Sequence, residues 1–460
     1  LPGIAAAVRE RCMTAPYGAK PIVTVIPGAT GACRILVIDP HGRPGETEAV
    51  HPLPPRSEAQ ASAERLHALI ASSGAEIVAV AGSRKARAVR DWVRDTIAAG
   101  PVPHVQCVAV HEAAALAMAE SETKKDAKGD VPAESGAELP ASVRAALSIG
   151  RFVQDPLREI ARWDLSRLPI DPSQRDLDQG ELRRAIDEAV QECAARVGVD
   201  LNSADEHLLA CVPGLDGAMA REIVAHRAAN GPCATRADIR SLSGLTEDAW
   251  QRAGGFLRIR GGADPVDATG IHPTGAPLAA AVAESLSTSL PLLFGHPERL
   301  SGVDPATFVS EVHTEADVRS VLDEIGRGSA DPRGPFVAPA FNAGLRSLKQ
   351  LKEGMELTGV VRTVSQFGAF VDVGLRQEGL VHVSELAHHF VRDPSEVVNV
   401  GDTVRVKVIG IDPAKRRISL SVKQLLPVPV VTEERERERA PFDASAPTPR
   451  PQRGPREGGG

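Results

Sequence analysis

The sequence predicts a multidomain chain of α/β, then α, then β character: a mixed α/β segment, a helical middle, and a small five-stranded β-barrel near the C-terminus. Three observations predict it. Strand-like and helix-like stretches alternate over residues 21–115. A short h-x-G-h turn occurs twice in the middle, each time before a helical stretch. From Gly354 the pattern changes to five short runs rich in β-branched residues, bounded by turn residues. At 460 residues the chain exceeds one hydrophobic core and divides into about three to five domains.

The bulk properties exclude some classes. Lys and Arg number 53 and Asp and Glu 60, a net charge of −7, so no global positive field draws in nucleic acid and any binding needs a local patch. Aromatic residues make up only 3%, which makes any aromatic cluster informative. The six cysteines, Cys12, Cys33, Cys107, Cys193, Cys211 and Cys233, show no C-x-x-C spacing, so they predict neither a zinc site nor a redox pair and fit a reducing cytoplasm. There is no signal peptide and no apolar run of about 18 residues, so neither export nor membrane insertion is expected. The first residue is Leu1, and residues 1–20 are read as the remnant of a preceding region.

In the first segment, residues 21–25, 33–39, 77–80 and 105–110 read as strands and residues 57–72 and 86–98 as helices, with a hairpin turn at His41-Gly42. The segment, taken as 21–135 and followed by a helical connector over 136–196, predicts a mixed α/β domain. Pro27-Gly28 followed by Gly31-Ala32-Cys33-Arg34 resembles the RNase H-like fold of the YqgF and Holliday-junction-resolvase kind. Nucleases of that fold hold two metal ions with several carboxylates, which clamp the attacking and leaving oxygens. The resemblance implies acids at three positions, occupied here by Ile26, Glu112 and Pro140. With one vestigial carboxylate of three, the domain is expected to be inactive, to bind no metal and to need no cofactor. The rival expectation is a metal-dependent nuclease that uses Glu112 with Asp39 in a rearranged site.

Residues 197–261 contain Val212-Pro213-Gly214-Leu215 before a helix at 218–229, and about thirty residues later Leu242-Ser243-Gly244-Leu245 before another. This is the helix-hairpin-helix signature. Its glycine permits close backbone approach, and the next helix's first amides can hold a phosphate oxygen. Gly214, Leu215 and Gly217 form the candidate phosphate-binding hairpin. The competing reading is that the hairpins only pack domains together or bind protein, and Asp216, Glu247 and Asp248 weaken the phosphate reading. A second helical and hairpin region is expected over 262–345.

The barrel, residues 346–424, is expected from strands at 355–364, 369–373, 379–383, 403–411 and 417–422, a count that suits an OB-type fold. Because strand side chains alternate, Ala369, Val371 and Val373 are predicted to face the core and Phe370 the outside; Val381 and Val383 likewise turn His382 outward. Phe367 joins them, giving three flat rings on one exposed patch. Arg405, Lys407, Lys415, Arg416 and Arg417 supply cations for phosphates. Bases stacking on such rings contribute about 1–3 kcal/mol each, so the expected ligand is single-stranded RNA, with DNA second. The alternative is that the phenylalanines belong to the core. Residues 366–371, 379–384 and 412–421 resemble the RNA-binding domain of ribosomal protein S-one, which implies contacts at Phe367, Phe370, His382, Asp412 and Arg416.

The order of these parts, with Ser148-Ile149-Gly150-Arg151, Gln154-Asp155-Pro156-Leu157, His272-Pro273 and Asp331-Pro332-Arg333 between them, resembles the bacterial Tex family of transcription accessory proteins. The resemblance implies a cytoplasmic, monomeric, non-catalytic factor acting with RNA polymerase or ribosome-associated complexes, without the family's N-terminal helical region. One departure is Leu168-Pro169-Ile170-Asp171-Pro172, which replaces a motif containing glycine and glutamine. Residues 121–138 are expected to form a flexible loop and residues 425–460 a disordered tail.

Overall fold

The computed structural model describes the chain except residues 29–30, 82–85, 103, 111–138, 165–173, 175, 337–347, 376, 389–390, 392–393, 395–396, 399–401, 413–416 and 427–460; side chains at 141, 349, 360, 362 and 403 are likewise not described. The predicted loop at 121–138, the 168–172 stretch, Glu112, Lys415, Arg416 and the tail beyond Leu426 therefore lie outside the described residues. The chain forms two compact units, Leu1–Ala338 and Pro339–Gly460.

The first unit begins with the helix Pro2–Cys12. Its Ile4, Ala5, Val8 and Cys12 pack into the same core as the helix Gln179–Val197. A five-stranded sheet follows, built from β1 (Ile22–Pro27), β2 (Cys33–Ile38), β3 (Pro44–Val50), β4 (Ile77–Ala81) and β5 (Gln106–Val110) in the order β3-β2-β1-β4-β5. β1, β2 and β3 are antiparallel, and β4 and β5 run parallel to β1. β1 reads as a nearly continuous apolar run because both its faces are covered. Val23 and Val25 meet the helices Ala59–Ser73 and Arg87–Ala99 on one side, while Ile22 and Ile26 meet the helix Ala141–Gln154 on the other.

That last helix corrects the predicted boundary. It falls in the connector expected over 136–196, yet Val143, Leu147 and Ile149 complete the sheet's second hydrophobic layer. Gly150 explains how close it comes, since a Cβ there would stand 2.2 Å from Ile38 Cδ1 and 2.8 Å from Thr24 Cγ2. At the helix end, Gln154 Nε2 donates to the carbonyls of Asp39 (2.7 Å) and Lys20 (2.8 Å), which anchors the β2–β3 turn.

The helical middle is closed by a short parallel ladder, β6 (Val199–Asp200) against β7 (Leu257–Arg258). Between these strands lie the helices Gly217–Asn230 and Glu247–Ala253. A further small core gathers Leu278, Val282, Val318, Val321 and Ile325 from the helices Ala276–Ser285 and Glu315–Arg327. Two of the interspersed motifs meet here in space: Arg333 donates to Asp155 (2.6 Å) and to Asp331 (2.9 Å).

The second unit contains β8 (Glu356–Ser365), β9 (Gly368–Asp372), β10 (Gly379–His382), β11 (Thr403–Asp412) and β12 (Arg417–Ser421). Each pairs with two others, in the closed order β10-β12-β11-β8-β9. Ala369, Val371, Val373, Val381, Val406, Val408, Ile418 and Leu420 fill the interior. Val383 departs from the expectation: β10 ends at His382, and Val383 opens a short 3-10 turn, half-buried outside the strand.

Candidate nucleic-acid interface

The barrel places Phe367, Phe370 and His382 together. Phe370 stands on β9 opposite Leu380 of β10 and Thr363 of β8, with its inward neighbours Ala369 and Val371 fully buried. Phe367 sits on the turn before β9 and is 55% exposed. Its ring meets that of Phe370 edge-on, with centroids 6.3 Å apart and planes at 88°. His382 pairs in register with Gly368, and the next amide, Val383 N–H, donates to the carbonyl of Phe367 (3.0 Å). The exposed imidazole is held by its own turn, with Nδ1 2.9 Å from Ser384 Oγ.

Gly368 makes this approach feasible. Its φ is +144°, and an added Cβ would lie 2.1 Å from the carbonyl oxygen of Val381 and 2.9 Å from His382 Cα. The backbones of β9 and β10 thus close to a distance that a side chain would prevent, which brings the turn carrying Phe367 against the end of β10.

The predicted cations are spread more widely. Arg417 is exposed and lies two residues before Ser419, which pairs with Leu380, so alternation puts it on the same outer face as Phe370. Arg405 does not adjoin the rings. It pairs with Thr358 of β8, five residues from Thr363 at the level of Phe370, a displacement of about 16 Å along the strand. It also donates to Glu356 (2.8 Å). Lys407 pairs with Ser421 and is half-buried, and Asp412 pairs with Arg417 at the far end of β11. Thr363 and Leu380, which flank Phe370, were not anticipated, because strand register is not written in any one strand.

The hairpins form the expected turn twice, and the chain's own groups take up part of the candidate phosphate site. Leu215 N–H donates to Val212 O (3.0 Å) and Leu245 N–H to Leu242 O (3.2 Å), the same turn twice. Each glycine packs against the other hairpin's helix: a Cβ on Gly214 would lie 2.6 Å from Ala249 O, and one on Gly244 would lie 2.6 Å from Met219 Cε. Leu215 is buried, and the amides after Gly217 are already engaged, because Asp216 accepts from Ala218 (3.0 Å) and Met219 (2.8 Å). The Asp216 carboxylate takes the two amides that a phosphate oxygen would otherwise use.

In the α/β domain Ile26 is buried near the C-terminal end of β1, beside the parallel β4 and β5. Pro140 precedes the first turn of the helix Ala141–Gln154. Asp39 follows Ile38, which pairs with Ile22 at the opposite end of β1, about 13 Å from the level of Ile26. Its carboxylate accepts from the amides of His41 (2.9 Å) and Arg43 (2.7 Å) and holds the turn. The strand direction separates it from the end of β5 that leads toward Glu112. Among the described residues no three His, Cys, Asp or Glu side chains are grouped to hold a metal ion. Among those residues, too, no helix is long and apolar enough to cross a membrane.

Four family models match the chain: a Tex protein YqgF-like domain over residues 20–154, a helix-hairpin-helix motif over 194–258, an HHH domain over 264–333 and an S1 RNA binding domain over 350–423. They define a multidomain protein assembled from an RNase H-like domain, helical hairpins and an RNA-binding module. The chain is 37% identical to the Protein tex of Bordetella pertussis over 91% of its own length and 52% of that protein. It is 33% identical to the Transcriptional accessory protein Tex of Neisseria gonorrhoeae over 90% of its length and 53% of the relative. The chain belongs to the Tex family, and it spans about half the length of the curated relatives it matches. A solved structure, GSP13 from Bacillus subtilis, is 36% identical over 23% of this chain and 81% of that one, with a TM-score of 0.17.

Proposed function

We propose that the chain binds single-stranded RNA on the outer face of an OB-type barrel, with single-stranded DNA as a weaker ligand. The observation that carries this is the grouping of Phe367, Phe370 and His382, with one ring more than half exposed in a chain poor in aromatics. An exposed ring gains by stacking on a base, and every base has a face to offer, so the expected preference is for single strands rather than a sequence. Arg417 on the same face, and Arg416 by resemblance, meet the phosphates beside the stacked bases, while Arg405 and Lys407 serve nucleotides further along the strand.

The same reading makes the protein a non-catalytic, cytoplasmic accessory factor of the transcription machinery, acting as a monomer. The buried Ile26 and the displacement of Asp39 support the absence of catalysis, since two-metal cleavage needs several carboxylates converging on one point. The reciprocal packing of Gly214 and Gly244 favours a scaffolding role for the hairpins.

Fluorescence anisotropy of the full chain with labelled single-stranded RNA, single-stranded DNA and duplex, with and without magnesium, tests this reading. The expected outcome is tightest binding to single-stranded RNA and intact substrate in magnesium. Failure to bind RNA at low salt, or magnesium-dependent cleavage abolished by Glu112→Ala, would overturn it.

A further inference from the structure

A second cationic surface lies in the first unit, formed by residues given no role above. Four arginines from three segments converge on one cleft: Arg196 near the end of the helix Gln179–Val197, Arg258 and Arg260 at and after β7, and Arg327 at the end of the helix Glu315–Arg327. Two carboxylates oppose them. Glu324 pairs with Arg327, and Asp331 stands 4.0 Å from Arg260 but is already held by Arg333 at 2.9 Å. Arg196 makes no ion pair among the described residues and is exposed, so positive charge is left over at the rim.

Arg258 forms the floor. It is buried, donates to the carbonyls of Gly255 (2.6 Å) and Leu257 (3.0 Å), and lies close to Gly270, where a Cβ would come within 3.0 Å of its Nη2. Burial and the guanidiniums of Arg236, Arg260 and Arg327 pull its pKa down to about 10, against the upward pull of Glu324. An anion at the rim would relieve that repulsion. The cleft is narrow, with an open volume of about 10 Å³, roughly the room of one water. It cannot enclose a small molecule, yet it can seat the oxygens of a phosphate that stays outside, as a polymer backbone does.

We infer that the cleft formed by Arg196, Arg258, Arg260 and Arg327 is a second nucleic-acid contact, one that holds the phosphodiester backbone without reading bases. It does not depend on the barrel reading.

The test is the salt dependence of binding by the full chain to single-stranded RNA, single-stranded DNA and duplex DNA, for wild type and for the triple variant Arg196→Ala, Arg260→Ala, Arg327→Ala. Each lost phosphate contact lowers the slope of log affinity against log salt by about 0.9 for duplex and about 0.7 for single strands. The expected fall is therefore about 3 on duplex or about 2 on single strands, and the polymer that shows it identifies the backbone the cleft holds. The triple lysine variant should keep the slope, and Arg319→Ala, on the exposed side of the same helix and paired with Glu315, should leave it unchanged. Adding Phe367→Ala and Phe370→Ala should weaken single-strand affinity without removing the cleft's share of the slope. Slopes unchanged on all three polymers, or a lysine variant as impaired as the alanine one, would overturn the inference.

Discussion

Gly368→Ala should damage the RNA interface more than any other single small substitution in the barrel, and the structure gives its size. At φ +144° an L-residue is strained by about 1–3 kcal/mol. The new Cβ would also lie 2.1 Å from Val381 O, more than 1 Å inside an ordinary carbon–oxygen contact, so β9 and β10 must separate. That forfeits at least one or two strand hydrogen bonds at about 0.5–1.5 kcal/mol each. The combined cost is about 3 kcal/mol or more, and it falls on the strands that hold Phe367 beside His382. Gly354→Ala is the control, with φ +85° and nothing within 4 Å of the added carbon. Hydrogen–deuterium exchange by mass spectrometry on the full chain reads the difference directly. Amides of β9 and β10 should exchange about a hundredfold faster in Gly368→Ala than in wild type, since about 1.4 kcal/mol is a factor of ten, and faster than in Gly354→Ala, which shares the positive-φ strain but not the clash; RNA affinity should fall with them. Equal protection in the two variants would refute the reasoning.

Three further outcomes are expected. Arg236→Met removes the buried partner of Asp267 (2.6 Å) and the donor to the carbonyls of Gly254 and Ile271 (3.0 Å each), so it should cost about 3–5 kcal/mol, seen as a lower urea midpoint of the first unit. Burial works to raise the carboxyl pKa of Asp205, but Arg162, Arg158 and the Leu208 amide outweigh it and hold the pKa well below the usual carboxylate range. With the folded value below the unfolded one, this stability is complete above about pH 4 and fades as pH drops toward the folded value, so Asp205→Asn should destabilise at pH 7 and flatten the acid limb of a pH–stability curve. Asp216→Ala should cost about 1 kcal/mol as a lost helix cap and leave RNA affinity unchanged, which anisotropy would check.

What the sequence made legible follows from the range of the interactions involved. The outward placement of Phe370 needed only the two-residue alternation of its own strand, and Ala369 and Val371 flank it as that alternation requires. The hairpin turns were equally local. The hairpin turn at His41-Gly42 leads into β3, but the strand itself has no predicted range, because it is an edge strand that starts Pro44-Gly45-Glu46 and exposes most of its side chains, so it carries little of the apolar signal by which strands are recognised. The role of Ala141–Gln154 was misjudged because its partner strands lie about a hundred residues earlier. The distance of Arg405 from the rings depends on the stagger with which five strands close, a property of the set and of no single strand. The packing of Gly214 and Gly244 onto each other's helices is likewise a relation between two copies of a motif, invisible in either one.

The central claim is that the rings of the barrel hold single-stranded RNA, and the most direct measurement is the affinity of the triple variant Phe367→Ala, Phe370→Ala, His382→Ala for a short single-stranded RNA, beside wild type at one salt concentration. At about 1–3 kcal/mol for each stacked base, two lost stacks should weaken binding at least about thirtyfold while the far-ultraviolet circular dichroism stays the same. A folded variant that binds as tightly as wild type would contradict the claim and move the RNA site elsewhere on the chain.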